Sequence, residues 1–196
     1  MDERVLFTTA DKALKAVIDQ IQPDQLKSHK PDWFIARPDQ TTRTLRDFIN
    51  YHAYDEAWVP ETLDGRTIEE VGAKYDGDLV GDDPLGAYAK LFEAATLAVG
   101  VITDLERPVH LTYGDYPTRE YLWHISIFRG FRSYQFAKWI GVNAIMPPEL
   151  VTGLTAIAEP HLDEWRAIGV FPPAVPEPPG ADAQTRLLAQ TGYLVG

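Results

Sequence analysis

The chain has 196 residues, the usual size of a single domain with a full hydrophobic core. Its 18 lysine and arginine residues against 29 aspartate and glutamate residues give a net charge of −11, so we expect no nucleic-acid partner and no membrane. The sequence contains no Cys, which excludes disulfides, thiolate metal sites and a thiol nucleophile. No segment has the pattern of a signal peptide or a transmembrane helix, and we expect a cytoplasmic location.

The first two predicted helices each have one apolar stripe. The first lies within residues 6–28 and is capped by Thr8 or Thr9. The second follows Thr42 and is terminated by Pro60 and Gly65. Its inward stripe consists of Leu45, Phe48, Ile49, His52, Glu56 and Val59. A histidine therefore occupies a position where an apolar residue is expected.

A long crossover is predicted over residues 62–84, with one helical turn at residues 68–71. Asp82 or Asp83 is the expected N-cap of the third helix, since the proline after them favours the first helical turn. Within residues 108–116, Val109, Leu111 and Tyr113 alternate with polar residues, and Gly114-Asp115 ends the alternation. That pattern predicts an extended piece and a turn.

The fourth predicted helix is the most aromatic, and it extends from Thr118 to the terminating Gly141. A fifth helix is predicted over residues 147–169, with a bend at Pro160. Residues 171–196 form a Pro-rich C-terminal strap with a short helical segment. These elements predict an all-α fold, an antiparallel four-helix bundle with a long crossover between its second and third helices. The whole chain, residues 1–196, is expected to form one domain.

Two further polar residues stand on the inward face of the fourth helix. Glu120 and His124 are four residues apart, so they lie one above the other on the face that continues through Ile127 and Phe131. A divalent cation would compensate the burial of this pair and of His52. Two imidazoles and one carboxylate are the ligand set of an open catalytic zinc site. The alternatives are a hydrogen-bonded core histidine and a surface Glu–His pair.

Other residues are candidates for a role around such a site. Glu56, one turn after His52, could replace Glu120 as a ligand, orient His52, or face solvent. Arg132 and Arg129 could hold a substrate carboxylate, or could pair with the surplus of acidic residues.

Two tyrosines of the fourth helix are also candidates. Tyr134 and Tyr121 could donate a hydrogen bond to a metal-bound oxygen, or could belong to the aromatic core. Spacing along the helix does not distinguish these alternatives.

The segments LRDFINYHAYDEAW and REYLWH resemble the DinB-like metal-binding bundle superfamily. Within it, they are similar to the metal-binding N-terminal domain of mycothiol-dependent maleylpyruvate isomerases and to related uncharacterised actinobacterial proteins. The ending FPPAVPEPPGADAQTRLLAQTGY is also similar, so the resemblance covers residues 6–192. That branch carries its metal on a helix-2 His and a helix-4 Glu-x-x-x-His, which fall on His52, Glu120 and His124.

The resemblance implies a divalent metal, Zn²⁺ first and Ni²⁺ second, and a low-molecular-weight thiol such as mycothiol as cosubstrate. It implies transfer or isomerisation acting on a small electrophile, and a homodimer. Two departures stand against the full family pattern: Phe128 and Arg132 occupy turns where a further His or Asp is frequent, and too few residues follow Gly169 for the isomerases' second domain. The alternatives are a non-catalytic metal-binding or small-molecule-binding bundle and a metal-dependent hydrolase.

Overall fold

The computed structural model describes residues 1–37, 40 and 42–194. This part of the chain is mostly helical, with seven α-helices and one antiparallel hairpin. The helices are α1 Glu3–Ile18, α2 Leu45–Leu63, α3 Ile68–Val71, α4 Pro84–Val101, α5 Thr118–Ile140, α6 Pro148–Ala167 and α7 Ala183–Gln190, and the strands are β1 Pro108–Leu111 and β2 Gly114–Pro117.

Helix α1 begins earlier than predicted because Asp2 caps it. The Asp2 carboxylate accepts a hydrogen bond from the backbone N–H of Arg4 at 2.9 Å. The predicted cap at Thr8 or Thr9 is wrong, since each hydroxyl donates instead to the backbone carbonyl four residues earlier. Both threonines therefore lie inside the helix.

Helix α2 is longer than its proline suggested. It begins at a capping box in which Thr44 and Asp47 bond each other's backbone N–H groups. It continues through Pro60 to Leu63, so Pro60 does not end it, but it does end before the predicted Gly65, whose φ is +75°. Proline can occupy the last turn of a helix when tertiary packing holds that turn, and here Val59 and Leu63 are buried in the core.

The termini of α4 and α5 are confirmed. Asp83 caps α4 by accepting a hydrogen bond from the N–H of Gly86 at 3.0 Å, and a proline follows it. Helix α5 begins at Thr118 and ends before Gly141, whose φ of +75° is the left-handed conformation that glycine adopts readily. The crossover over residues 64–83 contains the short helix α3.

Helix packing is consistent with a helical bundle of α1, α2, α4 and α5. Helix α1 packs closely on α5, α2 packs on α4, and α1 also contacts α4. Helices α6 and α7 cover α5 with one apolar cluster, in which Leu187 and Leu188 are buried near Phe131. Tyr193 of the strap stacks on Phe131 with ring centroids 4.5 Å apart. In the described part of the chain, no helix has both the length and the apolar character needed to cross a bilayer.

The hairpin positions an aromatic side chain beside α5. Strands β1 and β2 pair in antiparallel register, with Val109 buried opposite Tyr116. The turn between them carries Tyr113, whose hydroxyl lies 3.3 Å from Nδ1 of His124. The hairpin thereby closes one side of a cavity between α2 and α5.

Candidate functional site

His52 lies inside the bundle, within an aromatic environment. Its ring stacks on Phe128 with centroids 5.0 Å apart and meets Phe136 edge-on at 5.5 Å. Burial, together with the charges of Arg132 and Arg129, lowers the pKa of His52 well below its usual value. The imidazole is therefore neutral, and neither ring nitrogen has a hydrogen-bond partner among the described residues.

Glu120 and His124 lie one turn apart on α5 and face a different space. Both border a cavity of about 580 Å³ between α5 and α6, which we call cavity B, together with His161 and Glu164. His124 also borders a second cavity between α2, α5 and the hairpin, which we call cavity A. Burial lowers the pKa of His124, and the nearby Glu120 charge only partly opposes that shift.

The three predicted metal ligands do not fit a shared ion as they are placed. No group of three or more His, Asp or Glu side chains that could hold a metal occurs among the described residues. His52 borders neither cavity A nor cavity B, and its ring lies against Phe128, one turn beyond His124. The α2 carboxylate that shares a cavity with His124 is Asp55. The metal centre stays a prediction from the resemblance.

Glu56 belongs to a buried ionic cluster instead of a cavity. Its Oε2 lies 2.8 Å from Nη2 of Arg129, and its Oε1 accepts a hydrogen bond from the hydroxyl of Tyr88 at 3.0 Å. Asp11 lies on the other side of Arg129, with its Oδ1 3.4 Å from Nε. All four side chains are fully buried, so Arg129 pairs with acidic residues in the core.

The two carboxyl groups of this cluster share one guanidinium. Burial raises the pKa of both Asp11 and Glu56, and their mutual contact raises that of Glu56 further. Arg129 compensates one negative charge, and a proton retained by the pair would compensate the other. The cluster is thus close to electrically neutral, as a buried ionic group must be.

Two other candidates on α5, Arg132 and Tyr134, are buried away from both cavities, whereas Tyr121 borders cavity A. Arg132 donates from Nη1 to the carbonyl of Ile35 and to Oε1 of Gln135, each at 3.0 Å, and its guanidinium lies over the ring of Phe34. Burial lowers the pKa of Arg132 to about 10. Tyr134 is buried in the apolar cluster between α5 and α6. Neither residue borders cavity A or cavity B.

Cavity A, of about 300 Å³, combines aromatic walls with a few polar groups. Its polar side chains include Asp55, Thr62 and His124. Six aromatic residues line it: Tyr51, Tyr54, Trp58, Tyr113, Tyr121 and Phe128. Pockets of this composition are typical of small-molecule sites.

Asp55 is the residue that distinguishes cavity A. It has no hydrogen-bond or ion-pair partner among the described residues, although it is largely removed from solvent. Burial raises the pKa of its carboxyl to about 7, while the charges of Arg129, Arg132 and Arg37 oppose the shift. Asp55 is therefore a carboxyl group that titrates near neutral pH and that faces open space.

The candidates predicted from the sequence do not include Asp55, because the predicted inward stripe of α2 contains His52 and Glu56 instead. A second pattern on the same helix could have revealed it. Tyr51, Tyr54, Asp55 and Trp58 recur at steps of three, one and three residues, which places them on one helical face. A single acid among three aromatic residues is unusual for a solvated face.

The fold and this cavity define the protein as a helical bundle with an aromatic pocket that contains one unpaired carboxyl group. Comparisons with protein-family models, with curated proteins and with solved structures find no match for the chain. The assignment below therefore depends on the geometry of the pocket.

Proposed function

We propose that this protein is a small-molecule-binding bundle whose ligand occupies cavity A. The observation that carries the proposal is the unpaired carboxyl group of Asp55 in the wall of that cavity. A desolvated carboxylate without a partner destabilises the folded chain unless something compensates it. A bound ligand would supply the missing partner.

The contrast with the other buried acids supports this reading. Asp11 and Glu56 are fully buried and Asp55 is partly buried, but Arg129 lies between the first two and the fold itself compensates their burial. Asp55 has no such compensation within the described chain. Sites that bind ligands commonly retain groups that are unfavourable for stability alone.

A fragment screen by ligand-observed NMR tests the proposal. Ile125 borders cavity A, and Ile125→Trp should fill it, whereas Leu97 is 69% exposed and Leu97→Trp serves as the control. We expect fragments to bind the wild type and the Leu97 variant but not the Ile125 variant, provided that all three unfold cooperatively on heating. Equal binding to both variants, or no binding to the wild type, would contradict the proposal.

A second candidate is a DinB-like bundle with metal-dependent chemistry on a small molecule. That chemistry would be thiol-dependent transfer or isomerisation, or else hydrolysis. One observation favours it: both ring nitrogens of the buried His52 lack a partner. The donors as placed do not form a metal-binding group, so binding an ion would require these side chains to move.

Elemental analysis of untagged protein decides between the two candidates. Near-stoichiometric Zn²⁺ or Ni²⁺ that is lost in both His52→Ala and Glu120→Ala would support the metal centre. A wild type without metal would remove it. A homodimer and a cytoplasmic location stay predictions.

A further inference from the structure

We propose that cavity A binds an organic ammonium ion, with Asp55 as its counterion and the surrounding aromatic rings as its walls. This inference rests on the proposed function, since it names the chemical class of the ligand for that same cavity. It is derived from the charges and ring geometry of the cavity wall.

The wall of cavity A has an excess of negative charge. Asp55 is the only carboxylate among its described lining residues, and no Lys or Arg is among them. His124, also in the wall, lies with its Nδ1 3.3 Å from the hydroxyl of Tyr113. His110, at the exposed edge, is held by Asp115 at 2.8 Å. A cationic ligand would therefore meet one uncompensated anion and no fixed cation.

The arginines near Asp55 are engaged elsewhere. Arg129 lies between Asp11 and Glu56, and Arg132 donates to a backbone carbonyl and a glutamine. Arg37 lies over the ring of Tyr51, with its guanidinium carbon 5.5 Å from the centroid. These three charges favour the ionised form of Asp55 without occupying the cavity. The chain's net charge of −11 also favours the approach of cations.

The aromatic rings meet at steep angles around the carboxyl group. Tyr54 and Trp58 have centroids 6.0 Å apart and planes inclined by 51°, and Tyr51 meets Phe128 at 6.0 Å and 83°. Differently inclined rings present π-faces from several sides, which is the arrangement that attracts ammonium groups. A neutral donor could hydrogen-bond to Asp55 but would not compensate its charge, and an anionic ligand would be repelled by it.

Three probes of similar shape and different charge test the inference: phenethylammonium, phenethyl alcohol and phenylacetate. Binding is measured at about pH 8 by calorimetry, for the wild type, Asp55→Asn and the control Asp163→Asn, which removes a fully exposed carboxylate and the same net charge. We expect phenethylammonium to bind at least about tenfold more tightly than the alcohol, as a charge-assisted contact provides. Asp55→Asn should abolish this preference, and Asp163→Asn should retain it.

A second pair of variants tests the walls. Trp58→Phe keeps an aromatic face and should retain most of the affinity for choline, whereas Trp58→Leu should weaken it by about threefold or more. Equal affinities for the ammonium and the alcohol, unchanged by Asp55→Asn, would overturn the ammonium inference and leave the proposed function standing. So would neutral hits in the fragment screen without any binding of the cations. Absence of any ligand in the cavity would overturn both.

Discussion

The rings of His52 and Phe128 stack with centroids 5.0 Å apart and planes inclined by 28°. Phe128 stands one helical turn after His124, so the α2 histidine is packed beside the turn of α5 that follows the predicted metal ligands. One turn of helix is about 5.4 Å, which is more than twice a metal–nitrogen bond. The ring of His52 thus packs on an aromatic side chain of α5, and the described residues contain no group of three donors that could hold a metal.

The stability of a His52→Leu variant tests the role of this histidine. Leucine removes two buried nitrogens that have no partner, so we expect the free energy of unfolding at pH 7 to rise by about 1 kcal/mol. The folded-state pKa of His52 is lowered, which makes the wild type lose stability as pH falls below about 6.5, and the variant should lack that loss. Urea unfolding across this pH range measures both effects. A less stable variant that also loses bound metal would instead identify His52 as a ligand.

Replacing Arg129 should be far more damaging than replacing an exposed basic residue. Arg129→Met leaves Asp11 and Glu56 buried without a counterion, and we expect a loss of about 3–5 kcal/mol. Lys74→Met removes the exposed pair with Glu61 and should cost far less stability than Arg129→Met. Chemical denaturation of the two variants gives the comparison. Similar losses for both would show that the buried cluster is not electrostatically critical.

The Asp55→Asn variant should be more stable than the wild type above neutral pH. The folded-state pKa of Asp55 is raised to about 7, so the folded chain holds a proton that the unfolded chain has released between about pH 4 and pH 7. Wild-type stability therefore falls relative to the variant as pH rises through this window, and the difference reaches on the order of 4 kcal/mol near pH 8. Denaturation at pH 4 and pH 8 measures it, with Asp163→Asn as the control. A constant difference would contradict the burial of the Asp55 carboxyl.

The C-terminal strap should contribute to the stability of the core. Leu188 is 1% exposed in the cluster that joins α7 to α5 and α6. Leu188→Ala should lower the free energy of unfolding by about 2–4 kcal/mol through lost burial and a new cavity. Thermal and urea unfolding measure the change, with Ile168→Ala at a 70% exposed position as the control. A loss below about 1 kcal/mol would indicate that the strap is peripheral.

The sequence predicts helices well here because their periodicity and terminal residues are local signals. Asp83 and Gly141 act through contacts with residues a few positions away, so the chain alone reveals them. The alignment of α2 against α5 is different, since it depends on how long side chains fill the space between the two helices. Spacing along one helix carries no information about that alignment. The sequence alone therefore cannot tell whether His52 and His124 lie close enough to bind the same metal ion.

The sequence does not predict the candidate site at Asp55, for a related reason. The predicted inward face of α2 is a single stripe through His52 and Glu56, and Asp55 lies outside that stripe. Helix α2 in fact has two covered faces, because the hairpin and α5 enclose Tyr54, Asp55 and Trp58. The spacing of these residues identifies the second face, but its enclosure by the distant hairpin is a tertiary effect that spacing along α2 does not specify.

The buried ionic cluster draws one member from each helix of the bundle: Asp11 from α1, Glu56 from α2, Tyr88 from α4 and Arg129 from α5. If a single helix slid, exchanged places or reversed direction, a charged or hydroxyl group would be buried in the apolar interior without a partner. We therefore expect the cluster to favour a single arrangement of the four helices. Its members compensate one another only when all four helices are in place, so three helices packed without the fourth should be unstable.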